Sequence, residues 1–395
     1  MAILKRHASM ESVKSFAGEG GEVVVGLSDD VLAEIILRLP VRSVARSRCV
    51  SRSWRAAISD GYVRRRLPPQ LSVVYFPDGG AGRKQAPRFA CAGDGGLLED
   101  RDLGFFPFMD GAVVCDASNG LLLLRAAGTA RFYVVDPVTR RWAALPPPSR
   151  GARLSMLAFD PSPSSSSSSS SGGGGGFYVV NFTGRWRERG GEVEVFSSES
   201  RAWAVRDVEF GVPAAALSGS THFHGGAAYI LASDPDCVVR MDVTDPDLTC
   251  MVAELPEPAA ADGSSDARLA HSGGRLHYVA IGGGGAVLKV WVLDDDDSSP
   301  AALRWRLKHA VKLADVVEGG CSRGANEARF MALHPEKDAA YVWSGCRLVE
   351  YDLTRKEVTG AWEFADGEKN RVVKAWLVPS SMYLSDCLAD AHVQC

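Results

Sequence analysis

The chain has 395 residues, of which 46% are hydrophobic and 23% charged, with a formal net charge of −4. That composition excludes a chain disordered throughout, and no apolar run approaches the roughly 18 residues of a membrane-spanning helix, so no membrane partner is expected. The stretch Met1 to Val25 lacks the apolar core of an export signal. The nine scattered cysteines form no C-x-x-C pair. They are therefore expected as reduced thiols in a protein of the cytoplasm and/or nucleus.

Residues 1–26 show no hydrophobic periodicity and are expected to be a flexible N-terminal segment. Order begins at Leu27. Ser28 or Asp29 is suited to cap a helix, and Asp30 and Glu34 favour its positive end. Val31, Leu32, Ile35, Ile36 and Leu39 then form a stripe at helical spacing, which Pro40 ends. A second short helix is predicted around Val41, Val44 and Ala45, and a third carries Val50, Trp54, Ala57 and Ile58. Pro68-Pro69 closes this unit, assigned to residues 27–67. Three short helices bury little surface, so the unit is expected to need a partner. Between Val41 and Gln70 lie eight arginines and one acid, a local charge of +7 that leaves −11 for the remainder. Such a block invites an acidic partner, protein or nucleic acid.

From Leu71 onward helical periodicity gives way to short β-rich runs separated by Gly, Pro, Asp and Ser. One unit reads Asn119-Gly120-Leu121-Leu122-Leu123-Leu124, then Tyr133-Val134-Val135-Asp136-Pro137, then Trp142. A second runs from Phe177 to Asn181, then Val193 to Ser198, then Trp203. The third runs Gly225 to Ile230 and Val238 to Asp242. The fourth runs Gly273 to Tyr278, Val287 to Leu293 and Trp305. The fifth runs Asp338 to Trp343 and Leu348 to Leu353. Aligned at Val135, Val195, Arg240, Val292 and Glu350, the steps are 60, 45, 52 and 58 residues. Multi-strand repeats of about 40–50 residues predict a β-propeller. The fold is therefore expected to be mainly β, a small helical unit followed by a propeller of about six blades over residues 71–395. The degenerate segment Leu71 to Gly95 leaves seven open. The Ser/Gly tract 162–176 is expected as a disordered loop between blades.

Candidate chemistry is sparse. His222-x-His224 places two imidazoles on one face of a strand, but no third metal ligand stands at local spacing. The run Asp294 to Asp297 reads as an exposed loop, and Gly282 to Gly285 lacks the features of a phosphate loop. There is no G-x-S-x-G elbow. No catalytic, cofactor-binding or metal-binding residue is assigned. Trp142, Trp203 and Trp305 are expected to pack within or between blades. Arg185, Trp186 and Arg187, after Gly184, have the composition of an interface hot spot and are assigned to target binding on an exposed turn, with a strand edge carrying solvated arginines as the equal alternative.

The run from Leu27 to Arg55, with its L-x-x-D-V-L-x-E-I opening, its Leu39-Pro40 break and its Arg48-Cys49-Val50-Ser51…Trp54 finish, closely resembles an F-box of the plant type. Ser28 stands where that family usually has proline. Ser118-Asn119-Gly120-Leu121-Leu122, Tyr133 to Trp142 and Gly274-Arg275-Leu276-His277-Tyr278 resemble the F-box-associated or kelch-like propellers of plant F-box proteins. The resemblance implies a non-catalytic substrate receptor of an SCF-type cullin-RING ubiquitin ligase, without cofactor. Its helical unit would bind the Skp adaptor through Leu27, Val31, Ile35, Leu39, Pro40, Val41 and Val44, and its propeller a target protein for ubiquitination. Two alternatives are a propeller enzyme and a nucleic-acid-associated protein using the arginine-rich block 41–70. Nucleic acid is the weaker expectation, because only Trp54 and Tyr62 stand among those arginines.

Overall fold

The computed structural model describes residues 28–39, 43–44, 47, 49–59, 63, 66, 69–77, 87–159, 176–257, 267–282, 287–294, 304–317, 328–364, 370–378 and 388. The expected flexible segment 1–26 lies outside them, as does the tract 162–176 apart from Gly176. The chain divides into two compact units, residues 1–67 and 68–395.

In the first unit, helix α1 spans Asp29–Leu37, and Ser28 caps it by accepting from the Val31 N–H at 3.4 Å. Asp29 and Asp30 stand in its first turn, where the helix dipole favours acids. Helix α2 spans Arg52–Ser59, with Ser51 Oγ accepting from the Trp54 N–H at 3.2 Å. Ser43, Val44 and Ser47 are helical between them. The two helices pack together, and Leu32, Ala33, Ile36, Val44, Ile58 and Val63 are buried.

The second unit is a propeller of six four-stranded antiparallel blades, which settles the blade count at six. Blade 2 is Val113–Ser118, Leu121–Arg125, Phe132–Asp136 and Arg141–Ala144; blade 3 is Leu154–Phe159, Phe177–Trp186, Gly190–Ser197 and Ala202–Glu209. Blade 4 comprises Leu217–His224, Ala227–Ala232, Cys237–Asp242 and Cys250–Glu254. Blade 5 comprises Arg268–Ser272, Arg275–Gly282, Val287–Asp294 and Arg304–Lys312. Blade 6 comprises Arg329–Leu333, Ala339–Ser344, Arg347–Asp352 and Glu357–Phe364. The segment that reads as degenerate is blade 1: its outer three strands are Gln70–Pro77, Arg88–Ala92 and Leu97–Arg101, and its inner strand is Asn370–Val378, from the other end of the chain. That inner strand pairs with Gln70–Pro77 from Gln70↔Val378 to Pro77↔Asn370 and closes the ring. A short parallel contact, Glu363↔Leu97 and Phe364↔Leu98, joins the outer strands of blades 6 and 1.

Two local rules generate the blades. Inner and second strands are joined by Asn119-Gly120, Gly225-Gly226 and Gly273-Gly274, each with both residues at positive φ. These are the two-residue turns whose twist matches antiparallel strands. In blades 2, 4 and 6 the third strand ends on a carboxylate that accepts from the backbone N–H groups two and three residues on: Asp136 from Val138 and Thr139, Asp242 from Thr244 and Asp245, Asp352 from Thr354 and Arg355. This is the side-chain turn for which Asp is selected.

Second and third strands carry the core, and Leu121 to Leu124 are all at 0% exposure. Trp203 and Trp305 fasten neighbouring blades. The Trp203 indole N–H donates to the Pro146 carbonyl at 2.7 Å and that of Trp305 to the Glu254 carbonyl at 2.8 Å. Trp142 sits against Phe108 and Tyr133, which stack at 3.7 Å. All three tryptophans are half-buried rather than fully enclosed, because each lies on an outer strand.

Candidate functional site

In the helical unit, α1 divides its apolar residues between two faces. Leu32 and Ile36 turn inward, whereas Val31 and Ile35, four residues apart on one face, remain outside the core, as does Leu39 just past the helix end. Val31 is 47% exposed, and Ile35 and Leu39 are half-buried. Val44 departs from its assignment as an adaptor contact. It is at 0% exposure and belongs to the interior of the unit. Leu27, Pro40 and Val41 lie outside the described residues.

Arg185 and Trp186 stand in a strand, the alternative reading, and Arg187 lies just past its end, with both arginines exposed. Arg185 and Trp186 end a ten-residue strand, and alternation sends the arginines and the indole to opposite faces. Trp186 packs on Phe182 and Phe210, with the Arg153 guanidinium 5.5 Å from its ring. Arg187 pairs with Asp207 at 2.8 Å, and Arg185 lies 3.8 Å from Glu192. Glu192 and Asp207 are cross-strand partners, so the two arginines stand together while the indole packs on the other side.

The inner strands surround a channel holding a cavity of about 340 Å³. Its charged side chains come from three blades. Lys374 of blade 1 donates to Asp116 Oδ1 of blade 2 at 2.6 Å, and the Asp116 side chain is nine-tenths buried. Asp116 Oδ1 also accepts from the Ala117 N–H at 2.7 Å, and Oδ2 from the Leu157 N–H of blade 3 at 2.9 Å. Arg268 of blade 5 donates to the Val373 carbonyl of blade 1 at 3.3 Å. His222 Nε2 and His271 Nδ1, from blades 4 and 5, are 3.0 Å apart, and the His224 ring stacks on His271 at 4.4 Å. Burial, reinforced by His271, His224 and Lys374, holds the His222 imidazole well below its ordinary pKa, so it is neutral at pH 7. Burial likewise pushes the Cys115 thiol, on the channel wall, up to about 11, which leaves it protonated and a poor nucleophile.

The sequence pattern pointed to His222 and His224 but missed their neighbour His271, and it missed Asp116, Arg268 and Lys374. All four lie on inner strands, whose mixed polar character breaks the alternation used to recognise strands. One signal was present. Inner strands directly precede the Asn-Gly and Gly-Gly turns, so polar residues in the five positions before those dipeptides mark the channel wall. Among the described residues, no group of three or more His, Cys, Asp or Glu is arranged to hold a metal ion. His224 turns its Nε2 toward the Gly274 carbonyl at 3.3 Å rather than to the His222–His271 contact.

Comparison with known proteins follows the same division. Residues 25–66 match the F-box domain, and residues 107–384 match the β-propeller of F-box protein At3g26010-like sequences. F-box/kelch-repeat protein At4g22430 of Arabidopsis thaliana is 26% identical over 361 residues, covering 84% of this chain and 79% of that protein. F-box protein At3g26010 of the same plant is 25% identical over 336 residues, covering 81% and 75%.

Proposed function

Given that the chain belongs to the F-box proteins with a β-propeller of the At3g26010-like family, we propose that it is the substrate-recognition subunit of an SCF-type cullin-RING ubiquitin ligase. It would act in the cytoplasm and/or nucleus. The observation that carries this reading is the outward face of α1, where Val31 and Ile35, with Leu39 just past the helix end, are left outside the unit's own core within the F-box match. Apolar side chains held out on a short helix bind a partner at small cost, because the helix is already formed and little ordering remains to be done.

In this reading the Skp adaptor covers that face and the propeller presents a target protein. The chain's part in ubiquitin transfer is then proximity: it raises the local concentration of target lysines beside a charged conjugating enzyme. The protonated Cys115 thiol and the neutral His222 support a binding rather than a nucleophilic role for the channel. Affinity purification of the full chain from plant cells, with and without proteasome inhibition, tests the reading. Skp adaptor and cullin should be recovered in both conditions, and at least one further protein should be enriched on inhibition. Recovery of the folded chain without any Skp adaptor contradicts it.

A further inference from the structure

We propose that the central channel of the propeller binds an uncharged, compact molecule of one or two rings that carries a hydroxyl, with the rings against the channel wall and the hydroxyl on His222. The inference concerns the propeller alone and stands or falls independently of adaptor binding. A cavity of about 340 Å³ lies at the lower end of the roughly 300–1,000 Å³ typical of small-molecule sites. Leu157, Phe223 and Met331 give it an apolar, buried wall.

Departures from regular pairing shape that wall. Four of the six inner strands carry residues that have no partner in the register. Val373 in blade 1, Cys115 in blade 2 and Met331 in blade 6 are each passed over, and in blade 4 Ser218, Gly219 and Ser220 together stand opposite Leu231. Val373, Cys115, Met331, Gly219 and Ser220 all line the cavity. Bulges re-aim side chains and are over-represented beside binding sites. Bulges from four blades at one cavity give it a contour that regular strands would not. Gly219 leaves further room there, since a Cβ at that position would meet nothing within 4 Å.

The pairings within the wall select the charge of the ligand. Its charged residues are Lys374, Asp116 and Arg268. Lys374 and Asp116 neutralise one another, and both Asp116 oxygens are already engaged. Arg268 donates to the Val373 carbonyl and has a further partner. A cation or an anion would have to draw one of these groups away from its partner, whereas a neutral molecule leaves every pairing in place. The polar contact left over is on His222. Its Nε2 is taken by His271 Nδ1 at 3.0 Å and its ring is neutral, so Nδ1 accepts in one tautomer and donates in the other. That Nδ1 has no partner among the described residues. A hydroxyl both donates and accepts, and so satisfies either tautomer.

The test is fluorescence titration of the full chain at neutral pH with probes that share one skeleton: 2-naphthol, naphthalene, 2-naphthoate and 2-naphthylmethylammonium. The naphthol should bind saturably at one site per chain. The carboxylate and the ammonium should each bind at least about 10-fold more weakly. Naphthalene should bind about 5-fold more weakly for want of the hydroxyl. Gly219→Phe fills the cavity from a position with no neighbour to displace, and should weaken the naphthol at least about 10-fold with an unchanged melting temperature. Absence of saturable naphthol binding to folded protein overturns the proposal. So does any of the other three probes binding as tightly as the naphthol, or wild-type affinity in folded Gly219→Phe. If Gly219→Phe fails to fold, the ranking of the probes on the unaltered chain decides the matter.

Discussion

In the helical unit, two adjacent residues of α1 have opposite fates: Leu32 is buried at 4% exposure and Val31 stands 47% exposed. In the propeller, adjacent residues such as Leu121 and Leu122 are both buried, because blade faces pack on neighbouring blades from both sides. The helical unit therefore keeps apolar surface unspent, whereas the propeller consumes its own in closing a ring. The contrast extends to chain connectivity. The helical unit is built from contacts close in sequence, but blade 1 depends on a strand some 300 residues from its partner in the chain. A small unit with unspent surface gains stability from a partner, and a closed ring gains it from its own completeness.

This comparison can be broken at several points. The largest effect should follow from ending the chain at residue 369. Loss of Asn370–Val378 removes the whole pairing with Gln70–Pro77 and should cost most of the ~5–15 kcal/mol that a domain possesses. Circular-dichroism melting should then show no cooperative transition; a wild-type transition would show that the ring does not need its closing strand. Next, Leu32→Asp should destabilise the helical unit by about 3–5 kcal/mol, since it buries an unpaired charge. Val31→Asp, one residue away, should leave folding within about 0.5 kcal/mol of wild type. Equal losses in denaturant titrations of the two variants would erase the division of faces. Trp203→Ala should cost about 2–3 kcal/mol, less than a fully enclosed tryptophan because the ring is half-buried. Trp203→Phe should cost about 1 kcal/mol through the lost N–H bond to Pro146.

The smallest effect is a pH dependence. His277 is buried in blade 5, its Nδ1–H donates to the Arg275 carbonyl at 2.9 Å, and burial lowers its pKa from 6.5 to about 4. The unfolded chain therefore takes up this proton first as pH falls. Stability from this group is level well above pH 6.5 and is lost as pH falls between about 6.5 and 4, the loss being about 1.4 kcal/mol at pH 5.5. His222 and His334, lowered in the same direction, add to the trend. Melting temperatures from pH 7.5 to 4.5 should fall, and His277→Gln should fall less steeply. Parallel curves for the two proteins would remove His277 from the account.

The sequence disclosed the second and third strands of blades 2 to 6 because their apolar runs end on turns with a mechanism, such as Asp136 four residues before the positive-φ Arg140. It disclosed the outer-strand tryptophans Trp142 and Trp203 through a shared six-residue spacing, from Asp136 and from Ser197. It did not disclose inner strands such as Val113–Ser118, whose Cys115, Asp116 and Ser118 face a channel and obey no simple alternation. Blade 1 was illegible for a different reason, since its fourth strand lies at the other end of the chain. The site followed the same pattern. The α1 stripe was readable as helical periodicity, but that pattern cannot say that Leu32 turns inward while Val31 turns out, because a stripe wide enough for a core and a partner has one period. Arg185, Trp186 and Arg187 stayed open between turn and strand edge because Gly184 reads as a turn, whereas its positive φ is accommodated within a strand.

The most direct test of the account is calorimetric titration of the Skp adaptor into the full chain and its Val31→Asp and Leu39→Asp variants, with melting temperatures recorded alongside. The account predicts saturable one-to-one binding to the wild type. It predicts a loss of at least about 30-fold, or about 2 kcal/mol, in each variant, with the propeller's transition unchanged. Wild-type affinity in both variants, or no binding by the folded wild-type chain, would contradict it.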